Sequence, residues 1–388
     1  MIIILFDTAR SRKKLYPFSL SRRICDIRNG MVSNREWVEK FTGRSCLSLS
    51  AEYLQEDIIP QSGSFLCIDS SVVLTPEIWS QFENLKPNQA LEDSQGLLGY
   101  VSEKPPVLDI LPIFFDSVVH THNPVLRINH PMDWVRSSAT IIQQQIALFC
   151  KNISPLLSES VPFLKIYGEH PVYFEEGVTA FDVTINSMEG PVYIGKNVLL
   201  MEGTCIRGPV AIGEGTLVKM GAQIYGGTCI GIYCTVGGEI KNSLIGDFSN
   251  KAHHGYLGDS MIGQWCNLGA GTTNSNVKNN AGIVKMWNEE VKDFCPQGAK
   301  AGLLMGDFSK SSINTGFQTG TVIGVCCSVH EALDNSKNIR SFTWGKNKTY
   351  LPEKALEDIK GWYRFKNQTD NPKNANILMR IFHNEKHP

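Results

Sequence analysis

Two neighbouring histidines, His253 and His254, sit in a polar stretch that reads GGEIKNSLIGDFSNKAHHGYLGDSMIGQWCNLGAGTTNSN. An imidazole titrates near neutrality, so it is the side chain best suited to take a proton from an attacking group at physiological pH. The second chemistry-bearing set lies near the start of the chain, where Arg10, Arg12, Lys13, Arg22 and Arg23 crowd into the stretch DTARSRKKLYPFSLSRR. Guanidinium and ammonium groups at this density are donors suited to phosphate oxygens.

The elements that position the histidines are legible as a repeat. Ile194, Leu200, Ile206, Ile212, Val218, Ile224, Ile230 and Val236 fall at a strict six-residue interval. Four residues after each of the first seven stands a small or β-branched residue: Val198, Thr204, Val210, Thr216, Ala222, Thr228 and Cys234. Ile-Gly pairs begin at 194, 212 and 230, and 18 of the 34 glycines lie between Gly190 and Gly271. That glycine density opposes an α-helix by roughly 1 kcal/mol per residue. Three sixes per period of eighteen predict a triangular coil of short flat strands, with the aliphatic inward and glycine at the corner. The phase then slips, since Ile245 follows Ile230 by 15 residues and Ile262 follows Ile245 by 17. Insertions are tolerated only at corners, so 238–261 and 272–303 are expected to leave the shaft as loops and to carry the chemistry. His253 lies in the first of these, off the inward phase.

Composition narrows the function classes. A net charge of −1 over 388 residues argues against a nucleic-acid surface and makes small-molecule chemistry the default. The eleven cysteines are scattered without C-x-x-C spacing, which disfavours structural zinc and suggests reduced thiols in a cytoplasmic protein. MIIILF is too short for a targeting segment and reads as a first buried strand, and no apolar run suffices for a membrane span.

The polar stretch resembles the acetyltransferase half of the bifunctional glucosamine-1-phosphate acetyltransferase/N-acetylglucosamine-1-phosphate uridylyltransferase family (GlmU type). Its pattern of E-x-K, S-x-x-x-H-x-x-Y-L-G-D, N-[IL]-G-A-G-T and a further N is matched by Glu239, Lys241, Ser249, His253, Tyr256 to Asp259, Asn267 to Thr272, and Asn276. The opening ILFDTARSRKKLYPFSLSRRICDIRNG resembles a shorter, divergent branch of the same family. The resemblance implies a left-handed parallel β-helix that transfers acetyl from acetyl-coenzyme A to an amino sugar 1-phosphate. It makes His253, not His254, the general base and Glu239 an acid that orients it or raises its basicity. It places Lys241 and Tyr256 on the sugar phosphate, Asn267 near the sugar amine, and Ala270 and Asn276 at the acetyl-coenzyme A site. Gln223 stands where the family has a phosphate-binding arginine, and Val277 where an aromatic follows the asparagine. Relatives of this fold pack side by side, which implies a homotrimer.

Before the repeat, the strand-like MIIILF, SFLCID and GLLGYV alternate with helical stretches such as REWVEKF and 133–151, an α/β pattern. Position and resemblance make this a nucleotidyltransferase-like domain that would use a nucleoside triphosphate and Mg²⁺. No glycine-rich phosphate loop follows Phe6. Arg10, Lys13, Arg22 and Arg23 are the candidates to replace its amide donors, and Asp69, after the second expected strand, is the candidate carboxylate for Mg²⁺. A structural domain that keeps only its sheet and basic surface is the competing reading. The expected organisation is thus an α/β domain over 1–155, a β-helix over 165–335 and a helical tail over 350–388, the tail's two helices separated by DNPKNAN. Two alternatives stand beside a bifunctional transferase: a nucleotidylyltransferase whose β-helix only trimerises it, and a non-catalytic scaffold.

Overall fold

The computed structural model describes residues 1–108, 115–156, 163–330, 336–346 and 348–386. Two compact units emerge, one of Met1–Ile27 with Val32–Asp133 and one of Arg28–Met31 with Trp134–Pro388.

In the first unit β1 (Ile2–Phe6) is central in its sheet, and Ile3, Ile4 and Leu5 are almost wholly buried, as a continuous apolar strand covered on both faces should be. It pairs in parallel with β2 (Cys46–Leu49) and β3 (Phe65–Asp69). The others are β4 (Val72–Val73), β5 (Gln89–Asp93), β6 (Gly96–Ser102), β7 (Ser117–His120) and β8 (Leu126–Arg127), and the main sheet runs β2-β1-β3-β6-β5-β7. Asp69 therefore ends the third strand in chain order, because the short β2 intervenes. In the place of a glycine-rich loop, α1 (Ala9–Lys14) follows β1, started by a capping box between Thr8 and Ser11. After α2 (Phe18–Ser21) comes α3 (Asn34–Thr42), capped by Ser33 and Glu36 and ended by left-handed Gly43, and later α4 (Pro76–Glu83).

The second unit takes in most of α5 (Pro131–Phe149) and then a left-handed parallel β-helix with three flat faces. Face one stacks nine strands from Val172–Phe174 to Asn338–Ile339. Face two stacks ten, from Thr179–Ala180 to Thr343–Trp344 with Lys348–Thr349 antiparallel at its end. Face three runs from Leu164–Tyr167 to Tyr256–Gly258 and is continued by Thr273–Asn274 paired with Gly316–Phe317. Ile194, Ile212, Ile230, Ile245, Ile262, Met305 and Ile323 form one column, register partner on register partner, and all are buried. The Ile-Gly recurrence follows from the spacing between coils: a Cβ on Gly213 would lie 2.6 Å from the carbonyl carbon of Gly231 in the next coil. At another corner Tyr233, Phe248 and Trp265 take left-handed φ values and stack, with ring centroids 5.6 and 4.3 Å apart.

Two sequence expectations need correction. The 238–261 segment does not leave the shaft. Its slip is a shortening: Val236 to Ile240 spans four residues and Ile240 to Ile245 five, while the strands Glu239–Lys241 and Leu244–Ile245 stay in register. Only 272–303 departs, carrying the hairpin Lys285–Asn288/Asp293–Pro296. In the tail, α6 (Pro352–Phe365) is followed by α7 (Pro372–Lys386), so most of DNPKNAN is helical. A proline in the first turn is compatible because the N–H it lacks has no intrahelical partner there. The end expected for the β-helix, 335, lies outside the described residues. Among the described residues no helix is long and apolar enough to cross a membrane.

Candidate active site at an edge of the β-helix

Face three aligns three of the polar residues in one column. Gln223 is the register partner of Glu239, and Glu239 that of Tyr256. Two positions along the strands, Lys241 stands beside Gly258, and its ammonium lies 5.9 Å from the ring centre of Tyr225. A clamp orders the column's end. Asn242 Nδ2 donates to Asp259 Oδ1 at 2.7 Å, and Asn276 Nδ2 donates both to Asp259 Oδ2 at 2.5 Å and to the Tyr256 hydroxyl at 3.0 Å. Burial pushes the Tyr256 phenol up to about 12, and the negative charges of Asp259 and Glu239 add to the effect. Tyr256 therefore stays a neutral donor.

His253 occupies the corner at which the chain turns from face two to face three, and its side chain is exposed. The corner is moulded from both sides. On one side Gly238 has φ +73°, and a Cβ there would lie 2.8 Å from the His253 carbonyl oxygen. On the other, Gly271 N–H donates to the His254 carbonyl at 3.2 Å. Beneath the corner lies Lys251, register partner of the inward Val236 and only 2% exposed. The coil that contains Gly237 and Gly238 is short, and the Lys251 ammonium fills the space left, donating to Gly237 O at 3.0 Å and to His253 O. Burial lowers its pKa to about 8. A charged residue on an inward phase was the signal in the sequence that this corner is unusual, and sequence reasoning passed over it, as it did Asn242, while it matched Asp259 to the motif without giving it a role.

The remaining expected residues divide between neighbouring elements. Ala270 shares the corner stack with His253, one coil on, its carbonyl accepting from Asn314 N at 2.6 Å. Asn267 lies on face two, where it accepts from Asn250 Nδ2 at 3.3 Å. Thus Asn267 flanks the edge on one side and Glu239 and Tyr256 on the other. No hydrogen bond or ion pair among the described residues joins Glu239 to His253. The acid's charge is felt at Tyr256 instead.

In the first unit the polar residues gather at the carboxyl ends of β1 and β3, the usual ligand edge of an open α/β sheet. Asp7 is buried and its pKa is raised by that burial, against the opposing pull of Arg12 at 3.5 Å. Asp69 is raised in the same way: burial dominates, its Oδ1 accepts from Ser71 N at 2.8 Å, Arg127 lies 4.0 Å from Oδ2, and the Asp7 charge raises it further. Arg127 itself forks onto Asp93 with two 3.2 Å hydrogen bonds. Arg12 turns inward to Tyr53, Ser50 and the Ser19 carbonyl, and Arg23 is tied to Asp26, Glu56 and Asp57. Arg10 and Lys13 are exposed on α1, and Arg22 is half-buried. Among the described residues no cluster of three or more His, Cys, Asp or Glu side chains could hold a metal ion.

A nucleotidyltransferase-like α/β unit followed by a left-handed β-helix with a polar corner is the class of protein that this fold and site define. Residues 3–153 match the sequence model of the sugar nucleotidyl transferase family. The chain is similar to bifunctional GlmU proteins: 32% identical over 120 residues to that of Methanococcus maripaludis strain C5, which is 30% of this chain and 28% of the relative. It is 50% identical over 48 residues to that of Gloeobacter violaceus (12% and 10% of the two chains) and 26% identical over 149 residues to that of Trichodesmium erythraeum (38% and 26%). The chain thus spans less than a third of the length of each of these relatives. Together the domain match and these similarities support a GlmU-type chain, divergent from the relatives it matches.

Proposed function

We propose that the β-helix transfers acetyl from acetyl-coenzyme A to the amine of an amino sugar 1-phosphate of the glucosamine 1-phosphate type. The observation that carries this is the His253 corner, with its imidazole exposed, its backbone held from within by Lys251, and hydroxyl, carboxylate and ammonium groups aligned beside it on face three. In this reading His253 takes the proton from the attacking nitrogen. The nitrogen lone pair bonds to the thioester carbonyl carbon, the C–S bond breaks, and the thiolate leaves and is protonated. Lys241 and the neutral Tyr256 hydroxyl hold the sugar phosphate, and Gln223, next in the column, supplies an uncharged donor where a guanidinium would fork. Glu239 acts through Tyr256. The backbone N–H of Ala270 serves the thioester oxygen, its neighbours Gly269 and Gly271 being held by Ser311 and His254, and Asn276 ties that side to the acceptor side. The division of Asn267 and Tyr256 between two faces suits a homotrimer in which neighbouring shafts close the site. Acetyl transfer assayed with glucosamine 1-phosphate tests the reading: His253→Ala should lower kcat by about 10²–10⁴ while coenzyme A affinity stays within about twofold. Unchanged turnover would remove His253 from the mechanism.

We further propose that the first unit couples the N-acetyl product to a uridylyl group, supported by the family match over 3–153. Asp69, with Asp7 whose Oδ1 has no partner, is a donor pair that fits Mg²⁺, which commonly uses one or two carboxylates and fills its shell with water and phosphate. Such an ion, when bound, would neutralise triphosphate charge. Arg10, Lys13 and Arg22 are the cations that would meet the phosphates. Pyrophosphate release from UTP should then require Mg²⁺ and fall in Arg22→Ala and Asp69→Ala. Silence with UTP, dTTP, CTP and GTP in protein still active in acetyl transfer would remove this half.

A further inference from the structure

The hairpin that leaves the shaft builds a polar cavity of about 450 Å³, lined by Lys278, Lys285, Phe294, Ser336, Lys337 and Asn338. We propose that this cavity binds the phosphate-rich end of a nucleotide, a nucleoside carrying at least two phosphates, with the lysines on the phosphates and Phe294 against the base.

Three observations carry the assignment. The first is charge. Lys278 and Lys285 come from the departing segment and Lys337 from just before the last strand of face one, yet the three converge on one cavity, and no carboxylate among the described residues pairs with any of them. Elsewhere on the same hairpin Lys292 does find a partner, Glu289. Burial, and then the charge of Lys278, depress the Lys337 pKa, so the ammonium groups crowd one another at a cost that a bound anion would relieve. The second is shape. A volume of this size lies within the range of small-molecule sites. Its one aromatic wall, Phe294, is held at its edge by Trp287 with ring centroids 5.6 Å apart and is half-buried. The side-chain oxygen of Asn338 is buried without a partner among the described residues, an acceptor that suits a ribose hydroxyl or an exocyclic amine.

The third is rigidity. Val284 and Met286 seat the hairpin in the core, both fully buried. Gly320 permits the contact, since a Cβ there would lie 2.5 Å from the Lys285 carbonyl oxygen. The lysines thus project from a fixed platform, and little ordering entropy opposes binding. Lys278 follows Asn276 by two residues, so no more than about 7 Å separates their Cα atoms. The cavity therefore adjoins the clamp on Tyr256.

This chemistry has two sources, the 3′-phosphorylated adenosine diphosphate end of coenzyme A and a uridine nucleotide or nucleotide sugar. The first arm rests on the acetyl-transfer reading above. Calorimetric titration of the full chain with coenzyme A, dephospho-coenzyme A, adenosine 3′,5′-bisphosphate, UTP and UDP-N-acetylglucosamine decides between them. Lys278→Gln with Lys337→Gln should weaken the true ligand by about 10²-fold, tenfold for each lost charge-assisted contact. Wild-type affinity should also fall steeply with added salt. Lys285→Glu, on the exposed hairpin, should act in the same direction should the double variant fold poorly. A coenzyme A ligand is identified by weaker binding of the dephospho form. Coenzyme A and uridine nucleotides that bind the variants as tightly as wild type would overturn the proposal and leave acetyl transfer standing. Lysine-dependent binding of UDP-N-acetylglucosamine with no binding of coenzyme A would support the cavity and remove the acetyl-transfer reading instead. Binding of neither class would overturn the proposal.

Discussion

The two polar regions of the chain spend their charges differently. At the carboxyl ends of β1 and β3, Arg12, Arg23 and Arg127 are enclosed by Asp7, Asp26, Asp57 and Asp93, with Tyr53 and Ser50 completing the cage. At the β-helix corner the strong hydrogen bonds join neutral amides and a carboxylate behind the site, Asn242 and Asn276 on Asp259, while His253 and Lys241 point to solvent. A buried guanidinium inside a ring of carboxylates mainly builds the fold, because removing either side strands the other. A solvent-facing imidazole on a rigid corner is placed to meet a ligand. Cationic residue types alone therefore do not mark a phosphate site. What their charge is already bonded to decides it.

The comparison breaks most visibly at the corner itself. Gly238→Val puts a β-branched residue at φ +73° against the His253 carbonyl, and should lower acetyl-transfer kcat by about 10²-fold, the scale of a 1 Å misplacement. Intact folding by circular dichroism with full activity would show that the corner need not be so finely held. Next comes Arg23→Ala, which frees the half-exposed Glu56 and leaves Asp26 and Asp57 to Arg35 alone, and should cost roughly 1–3 kcal/mol in a urea titration through the lost charge-assisted hydrogen bonds. If Arg23 serves the fold, the KM for UTP of the folded fraction stays put. A raised KM with unchanged stability would return Arg23 to the phosphate site.

Smaller effects sharpen the second region. Asn276→Ala frees the Tyr256 hydroxyl and should raise the sugar phosphate KM by about tenfold with kcat nearly kept, since one hydrogen bond to a ground-state contact is lost. A pure kcat effect in steady-state kinetics would move Asn276 to the transition state. Lys251 gives the mildest signal. Its folded pKa of about 8 lies below the ordinary lysine value of 10.5. The unfolded chain therefore binds the extra proton between those values, so stability rises with pH across that window and is lost as pH falls through about 8. Lys251→Met should remove up to about 1.4 kcal/mol per pH unit of that slope. An unaltered slope in denaturation at pH 8, 9 and 10 would contradict the buried ammonium.

Legibility in the sequence followed the same division. The inward column from Ile194 to Ile262 was readable because a β-helix fixes the hexad phase by burial, and glycine marks the closest approach between coils. MIIILF was readable as a buried strand for the same reason. The His253 stretch was readable as chemistry, but its backbone was not: a slip of phase says that residues are gained or lost, not whether a loop departs or a corner tightens. Lys251 on the inward phase was the discriminating clue, since a lysine there needs both a gap and carbonyl acceptors. Of the carboxylates that hold Arg23, Asp26 stands three residues on, but Glu56 and Asp57 lie more than thirty residues away, and no local pattern reports those pairings. The cavity of Lys278, Lys285 and Lys337 was invisible for a like reason, as its cations come together only when the hairpin seats on the shaft.

The central claim is that the corner and the sheet edge do separate work, and one paired assay tests it most directly. Wild type, His253→Ala and Asp69→Ala are each given acetyl-coenzyme A, glucosamine 1-phosphate, UTP and Mg²⁺, and N-acetylated sugar and pyrophosphate are followed by mass spectrometry. The account predicts that His253→Ala loses the acetylated sugar, yet still releases pyrophosphate when supplied with N-acetylglucosamine 1-phosphate. Asp69→Ala should accumulate acetylated sugar and release little pyrophosphate. Loss of both products in either variant, or acetylation undiminished in His253→Ala, would contradict it.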